Sequence, residues 1–405
     1  MIRLRIGTLA LILGVFAALA GYVAVEFAAP DRMDKAVLLD FDVFHLVGVL
    51  ISEGNLRGAY DPAQFLERQA ALAGFDGSQL FFSYPPPFAM LIAPLGALPA
   101  WAAYLLFMGG SMGLYLWALR RLAGQGFHTV LVLMLPLMLL ILRAGQNSFL
   151  TGGLMALVVL GAVQARPRAG VPGGIALGLM AIKPHLAIGF ALWAVGDRRW
   201  RLVITALLIV ALFSALSTLV FGTQVWTWFL GSAAASSEAL RAGIFPLFRM
   251  TSVYAFALSI GAPVLLATVL HLSVILSGLA ALIWLRRIGA SPRVVVGAGL
   301  YISALISPYN YDYDLAMLAG AAALFLDVIV QQARRGERAV LFVAVWGLSL
   351  YGMVMTLLAP QLSFTPPSIG GPTLVGIGVI LLRLQRREAG LAPIALTLST
   401  RRVRP

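Results

Sequence analysis

Cysteine is absent from this sequence of 405 residues, and histidine and charged residues are scarce. Without cysteine the chain has no disulfide and no thiolate metal site, and cysteine usage says nothing about the redox compartment. The four histidines, His45, His128, His185 and His271, show no spacing that is typical of a zinc site. We therefore expect no metal site and no cofactor.

Apolar residues dominate instead. They make up 60% of the chain, only 11% of the residues are charged, and the mean hydropathy is +0.93, outside the range of soluble globular domains. Runs of about 18 to 23 apolar residues recur, each long enough to cross a hydrocarbon core as a helix. Because lipid offers the backbone no hydrogen-bond partner, such runs span as helices. The sequence predicts an all-α integral membrane protein.

The net charge of +13 could indicate a nucleic-acid partner, but the arginines fall in short clusters between the apolar runs. Lys and Arg are enriched in cytoplasmic loops, so these clusters give the orientation. They predict one polytopic domain over residues 1–405, with about twelve crossings, both termini in the cytoplasm and a basic tail at 383–405. We expect membrane lipids around an inner or plasma membrane protein and no nucleic acid.

The first apolar run, from Ile6 to about Phe27, resembles a secretory signal but is longer than a usual signal core. We predict a retained anchor that delivers residues 28–100 to the outer face as a loop with juxtamembrane helices. Pro85, Pro86 and Pro87 suit the start of a helix. The apolar piece after them is too short to cross, so we expect it to be interfacial or re-entrant.

In this orientation, polar residues that membrane helices tolerate poorly fall on one side, the outer face. Ionisable groups in or beside a membrane are costly, so their convergence indicates a functional site. Carboxylates in such a set can accept a proton, and cations can hold an anion. The set consists of Asp40, Asp42, His45, Tyr84, Arg143, Gln146, Asn147, Lys183, His185, Arg241, Arg249, Asp312 and Asp314.

Several short motifs follow one another between about residue 38 and residue 315. They are Asp40-Phe41-x-Val43-Phe44, Gly58-Ala59-Tyr60-Asp61-Pro62, Tyr84-Pro85-Pro86-Pro87-Phe88, Gly145-Gln146-Asn147, Gly178 to Lys183-Pro184, and Ser307-Pro308 followed by an aromatic residue and Asp. In this order they resemble glycosyltransferase family 87. Its members are polytopic enzymes of the C-type fold, similar to mannosyltransferases that use polyprenyl-phosphate-linked mannose.

The resemblance implies inverting transfer of a hexosyl residue, such as mannose, from a polyprenyl-phosphate sugar to an acceptor hydroxyl of a glycolipid or glycan on the outer (periplasmic or extracytoplasmic) face, without a metal. The position that matches the family's catalytic Asp is Asp40, with Asp42 as its neighbour and Asp312 as a second acid–base candidate. In many relatives a His follows at the position of Tyr313. Candidates for binding the donor phosphate or the substrate are Lys183, His185, Arg143, Gln146, Asn147, Tyr84, Arg241, Arg249 and Asp314.

Structural explanations compete with these roles. Asp40 could cap a helix, as could Asp312 and Asp314, and Lys183 could snorkel to the interface. At the level of the whole chain, a transporter or flippase for a lipid-linked or anionic substrate would also contain broken helices and buried charges. We favour the enzyme because the sequence shows no internal repeat and no polar lining of the cytoplasmic half. An O-antigen-ligase-like or acyl-transferring enzyme fits the ordered motifs less well.

Overall fold

The structure is a computed structural model that describes residues 40–71, 80–163 and 170–390. This part of the chain is helical, and its one extended pairing is an isolated bridge between Met250 and Tyr311. The all-α prediction is therefore confirmed. The predicted anchor at residues 6–27 and the basic tail beyond residue 390 lie outside the described residues.

Seventeen α-helices are numbered in chain order within the described residues. They are α1 (Asp40–Ser52), α2 (Leu56–Tyr60), α3 (Pro62–Ala70), α4 (Pro86–Ile92), α5 (Ala100–Ala123), α6 (Phe127–Ala144), α7 (Ser148–Val163), α8 (Gly170–Leu179), α9 (Ile188–Gly196), α10 (Trp200–Phe221), α11 (Gln224–Arg241), α12 (Val253–Ser259), α13 (Val264–Arg287), α14 (Pro292–Ile306), α15 (Leu318–Gln332), α16 (Arg335–Leu358) and α17 (Gly370–Glu388). Short 3₁₀ turns connect several of them, including Ala93–Ala97, Met180–Ile182, Leu247–Arg249 and Asp312–Met317.

Helix lengths agree with a membrane-embedded chain. Within the described residues, five helical segments are long and apolar enough to cross a bilayer, and four more are apolar but shorter. The long ones are 100–144, which contains α5 and α6, and α10, α13, 312–332 and α16. The count of about twelve crossings stays a prediction.

Residues 222–262, which lie between two long apolar runs, are largely helical because they contain α11 and α12. A search for long apolar runs misses such helices, since α11 carries Thr, Ser and Glu among its apolar residues. The helix α4 begins at the second of the three prolines, as predicted, and passes directly into the turn Ala93–Ala97.

The N-terminal helix α1 is fixed by close backbone packing. Gly48 lies against Gly96, and a Cβ atom at either position would overlap the backbone of the other. The Phe44 ring meets the Phe88 ring edge-on with centroids 5.0 Å apart. His45 Nε2 lies 2.9 Å from the Leu98 carbonyl oxygen, which gives this histidine a structural contact. These contacts set the position of Asp40 at the start of α1.

Candidate active site

Two buried ion pairs, Lys183–Asp314 and Arg249–Asp312, form the centre of a cluster of predicted site residues. Lys183 Nζ lies 2.5 Å from Asp314 Oδ1. The Arg249 guanidinium donates from Nε to Asp312 Oδ2 at 3.1 Å and from Nη2 to Asp312 Oδ1 at 2.9 Å. Both carboxylate side chains are only 2% exposed. Charges at this depth persist only when they are paired, so each cation depends on its carboxylate.

Local structure explains how three distant segments deliver these four charges. Lys183 occupies the break between the 3₁₀ turn Met180–Ile182 and the residues that lead to α9. Asp312 and Asp314 lie in the 3₁₀ turn that precedes α15. The Thr251 N–H donates to the Asn310 carbonyl at 2.8 Å, so the backbone just after Arg249 pairs with the backbone just before Asp312.

The predicted helix-capping role of the two aspartates coexists with ion pairing. Asp314 Oδ2 accepts the Tyr311 N–H at 3.2 Å, and Asp312 Oδ1 accepts the Tyr313 N–H at 2.9 Å. For Lys183, in contrast, the snorkelling interpretation is wrong. The residue is 6% exposed and its ammonium ends on Asp314, because a buried carboxylate is a nearer partner than interfacial water.

Aromatic rings enclose the cations. Lys183 Nζ lies 5.2 Å from the centroid of the Tyr313 ring and 5.7 Å from that of Tyr84. Arg249 Cζ lies 5.4 Å from the Tyr313 centroid and 5.6 Å from that of Tyr311. All four distances fall within the range of cation–π attraction. Tyr311 and Tyr313 also stack on each other, with centroids 5.3 Å apart and ring planes 10° from parallel.

Asp40 faces this cluster from the start of α1. It lies outside the membrane-spanning segments and is partly buried. Burial raises the pKa of Asp40 to about 6, although the nearby Arg249 and Lys183 lower it and Asp312 and Asp314 raise it further. No described side chain forms a hydrogen bond or ion pair with it. A carboxylate in this setting is available to take up a proton from a bound molecule.

Asp42 is separated from Asp40 by the helix itself. Residues two positions apart in an α-helix project to different sides, and both lie in α1. Arg249, Lys183, Asp312 and Asp314 act on Asp40. The helix makes the two adjacent candidates inequivalent.

A second polar group lies beside the ion pairs. The Tyr84 hydroxyl donates to Gln146 Oε1 at 3.1 Å, and the same oxygen accepts the Asn147 N–H at 2.8 Å. The Asn147 carboxamide is near the Tyr84 hydroxyl, but both of its polar atoms are buried without hydrogen-bond geometry to any described residue. His185 is partly buried and within electrostatic reach of Lys183 and Asp314. Tyr84, Gln146, Asn147 and His185 were all predicted as site residues.

Two further predicted cations lie at helix ends. Arg241 is exposed at the C-terminal end of α11, and its charge acts on Tyr254. Arg143 is partly buried in the last turn of α6. Their roles in binding the donor stay predictions.

The structure adds three residues that the sequence analysis did not select. Tyr311 and Tyr313 alternate with the aspartates in Tyr311-Asp312-Tyr313-Asp314. This alternation is the sequence feature that could have identified them as site residues. Gly352 of α16 packs so closely on Asp312 that a Cβ atom there would overlap the carboxylate. Nothing in the apolar sequence of α16 marks this glycine.

No cluster of three or more His, Asp or Glu side chains that could hold a metal ion occurs within residues 40–71, 80–163 and 170–390. The predicted metal-free reaction stays a prediction.

Comparison with known proteins gives one family and no individual relative. Residues 81–308, more than half of the chain, match the model of glycosyltransferase family 87. No curated protein and no solved structure matches the sequence. The matched stretch contains Tyr84, Gln146, Lys183 and Arg249, whereas Asp40 precedes it. The predicted resemblance is confirmed: this membrane-embedded chain belongs to glycosyltransferase family 87.

Proposed function

We propose that the protein transfers a hexosyl residue, such as mannose, from a polyprenyl-phosphate sugar to an acceptor hydroxyl of a glycolipid or glycan at the outer face of the membrane. The observation that carries this proposal is the placement of Asp40 opposite Lys183 and Arg249. One site thus holds a carboxylate that has no hydrogen-bond or ion-pair partner among the described side chains and can act as a base, together with two cations that can hold a phosphate.

The reaction in this site is a single displacement. Asp40 takes the proton of the acceptor hydroxyl as its oxygen bonds to the anomeric carbon of the donor. The bond between that carbon and the phosphate oxygen breaks, and the lipid phosphate leaves with the electron pair. Lys183 and Arg249 stabilise the negative charge that develops on the leaving group. Attack opposite the leaving group inverts the anomeric configuration.

The ion pairs are compatible with phosphate binding. The fork of Arg249 that now holds Asp312 has the geometry that also binds phosphate, and Lys183 serves as a point charge. A donor phosphate would share or replace the carboxylates Asp312 and Asp314. The cations are therefore held in place before the donor arrives, which limits the ordering that binding requires.

An apolar cavity supports a lipid-linked donor. It has a volume of about 330 Å³ and is lined by α6, α15, α16, α17 and Tyr301 of α14. Its wall includes Leu315, which follows Asp314 directly, and Ser349, one turn from the Gly352 that touches Asp312. A lipid with its phosphate at the cations has room for part of its hydrocarbon chain here.

Family membership favours an enzyme over a transporter or flippase. The charged residues also lie at helix breaks and helix starts on α1, α8, α9 and α15 rather than along a path between two faces. The short apolar helices support the proposed C-type fold.

The proposal is tested with purified protein in detergent or vesicles, using polyprenyl-phosphate mannose and other polyprenyl-phosphate hexoses with an extract of envelope glycolipids. We expect a glycosylated acceptor by mass spectrometry, of inverted configuration by NMR. Activity should be unchanged by EDTA, because the site needs no metal to stabilise the phosphate. Transfer only from a nucleotide sugar, or loss of activity on chelation that a divalent ion restores, would contradict the mechanism.

The pH dependence of transfer follows from Asp40. Only the deprotonated carboxylate accepts a proton, and burial raises its pKa to about 6. We expect kcat/KM to be constant above about pH 7 and to fall about tenfold per pH unit below pH 6, since kcat/KM reports the free enzyme. An ordinary aspartate would keep the rate constant down to about pH 4. A profile that is flat to pH 4.5 would show that Asp40 is not the base.

A further inference from the structure

Among the described residues, Tyr313 is the aromatic residue that contacts both cations of the cluster. Lys183 Nζ lies 5.2 Å and Arg249 Cζ 5.4 Å from its ring centroid, while Tyr84 meets Lys183 alone and Tyr311 meets Arg249 alone. Tyr313 is 7% exposed, so these contacts are shielded from water. The ring therefore connects the two ion pairs, which come from segments far apart in the sequence.

We propose that Tyr313 is a positioning residue whose ring holds Lys183 and Arg249 at the separation that a donor phosphate needs. The inference rests on the proposed function, because it concerns the phosphate of that donor. It assigns the role to the ring and not to the hydroxyl.

The physical reason is the repulsion between the cations. In the structure, Asp314 and Asp312 neutralise Lys183 and Arg249. As a phosphate draws either cation away from its aspartate, two like charges face each other in a poorly solvated site, and their repulsion grows. The negative face of an aromatic ring attracts both, and unlike a carboxylate it leaves their hydrogen-bond donors free for the phosphate.

The ring is itself held in one orientation. The Tyr313 N–H donates to Asp312 Oδ1 at 2.9 Å, which fixes its backbone relative to the Arg249 pair. Tyr311 stacks on it with planes 10° apart. A ring that is held by stacking on Tyr311 as well as by Asp312 keeps a support when the phosphate shares or replaces the carboxylate, so it can define a spacing.

The test uses farnesyl phosphate, whose binding to the detergent-solubilised protein is measured by calorimetry. We expect Tyr313→Leu to weaken binding about tenfold, because both cation–π contacts are lost. Tyr313→Phe keeps the ring and should restore the affinity to within about twofold of wild type. Tyr313→Met fills the volume without a π-system and should behave like Leu, which provides a second variant if Leu fails to fold.

Tyr115→Leu is the matched control. Tyr115 is also buried and donates to the carbonyl of Ala316, three residues after Tyr313, at 3.1 Å. Its ring contacts Phe149, with the planes tilted by 47°, and neither Lys183 nor Arg249. It should lower thermal stability without changing the affinity of the folded protein. In transfer assays, Tyr313→Leu should raise the donor KM more than it lowers kcat.

The outcomes separate this inference from the proposed function. If the wild type, Tyr313→Leu and Tyr313→Met all bound farnesyl phosphate equally tightly, the role of the ring would be overturned and the glycosyltransferase assignment would stay intact. If Tyr313→Phe bound farnesyl phosphate as weakly as Tyr313→Leu, the role would belong to the hydroxyl, which would also overturn the inference. Absence of both farnesyl phosphate binding and sugar transfer in the wild type would overturn the phosphate site, and the inference with it.

Discussion

Asp40→Asn is expected to lower the rate of sugar transfer by about 10²- to 10⁴-fold, the usual contribution of a positioned general base. The carboxamide has nearly the same shape as the carboxyl group but cannot accept a proton from the acceptor hydroxyl. The charges that act on Asp40, from Arg249, Lys183, Asp312 and Asp314, stay in place, so the donor should still bind. Single-turnover transfer from polyprenyl-phosphate mannose, together with farnesyl phosphate affinity, measures both effects.

Two further substitutions in the same region make this result specific. Glu53→Gln removes an exposed carboxylate at the other end of α1 that pairs with Arg68 at 2.8 Å, and activity should be unchanged. Asp42→Asn tests the neighbouring candidate. If this variant loses transfer while Asp40→Asn retains it, the base is Asp42 and the orientation of α1 in the reaction differs from that described above.

Much of the fold could be predicted because membrane helices follow from apolar runs. The apolar run from Leu202 to Phe221 corresponds to α10. The apolar run from Pro263 to Leu285 corresponds to α13, which begins directly after Pro263. The arginine clusters then predicted that Asp40, Lys183 and Asp312 share one side of the membrane. Their proximity in the structure agrees with that parity.

The pairing of the charges could not be predicted in the same way. Lys183 and Asp314 are separated by 131 positions, and Arg249 and Asp312 by 63. Which cation meets which carboxylate depends on the break before α9 and on the backbone contact between Thr251 and Asn310. Such contacts join residues that are far apart in the sequence, so no periodic sequence pattern indicates them. For the same reason Arg241, a cation on the predicted side, lies exposed and away from the pairs.

Gly352 illustrates a requirement that only packing reveals. In α16 it is one small residue in a long apolar helix, and an isolated glycine there lowers the helix propensity. The structure gives a reason for it, since any side chain would overlap the Asp312 carboxylate. The site thus depends on α16 for space as much as on the 3₁₀ turn for charge.

Arg249→Met is expected to destabilise the protein by about 3–5 kcal/mol, because it leaves the Asp312 carboxylate buried without its partner. It should also abolish donor binding, since the guanidinium that contacts the Asp312 carboxylate is lost. Unfolding in denaturing detergent, followed by circular dichroism, measures the stability change.

The double variant Arg249→Met, Asp312→Leu separates folding from function. It removes both charges of the pair and replaces them with apolar side chains, which is often neutral or stabilising for a buried ion pair. We expect it to recover most of the stability lost in Arg249→Met but to remain inactive, because the Arg249 guanidinium that would hold the phosphate is lost. A double variant that regains both stability and transfer would show that the Arg249–Asp312 pair serves the fold alone, and Lys183 would then be the cation that binds the donor.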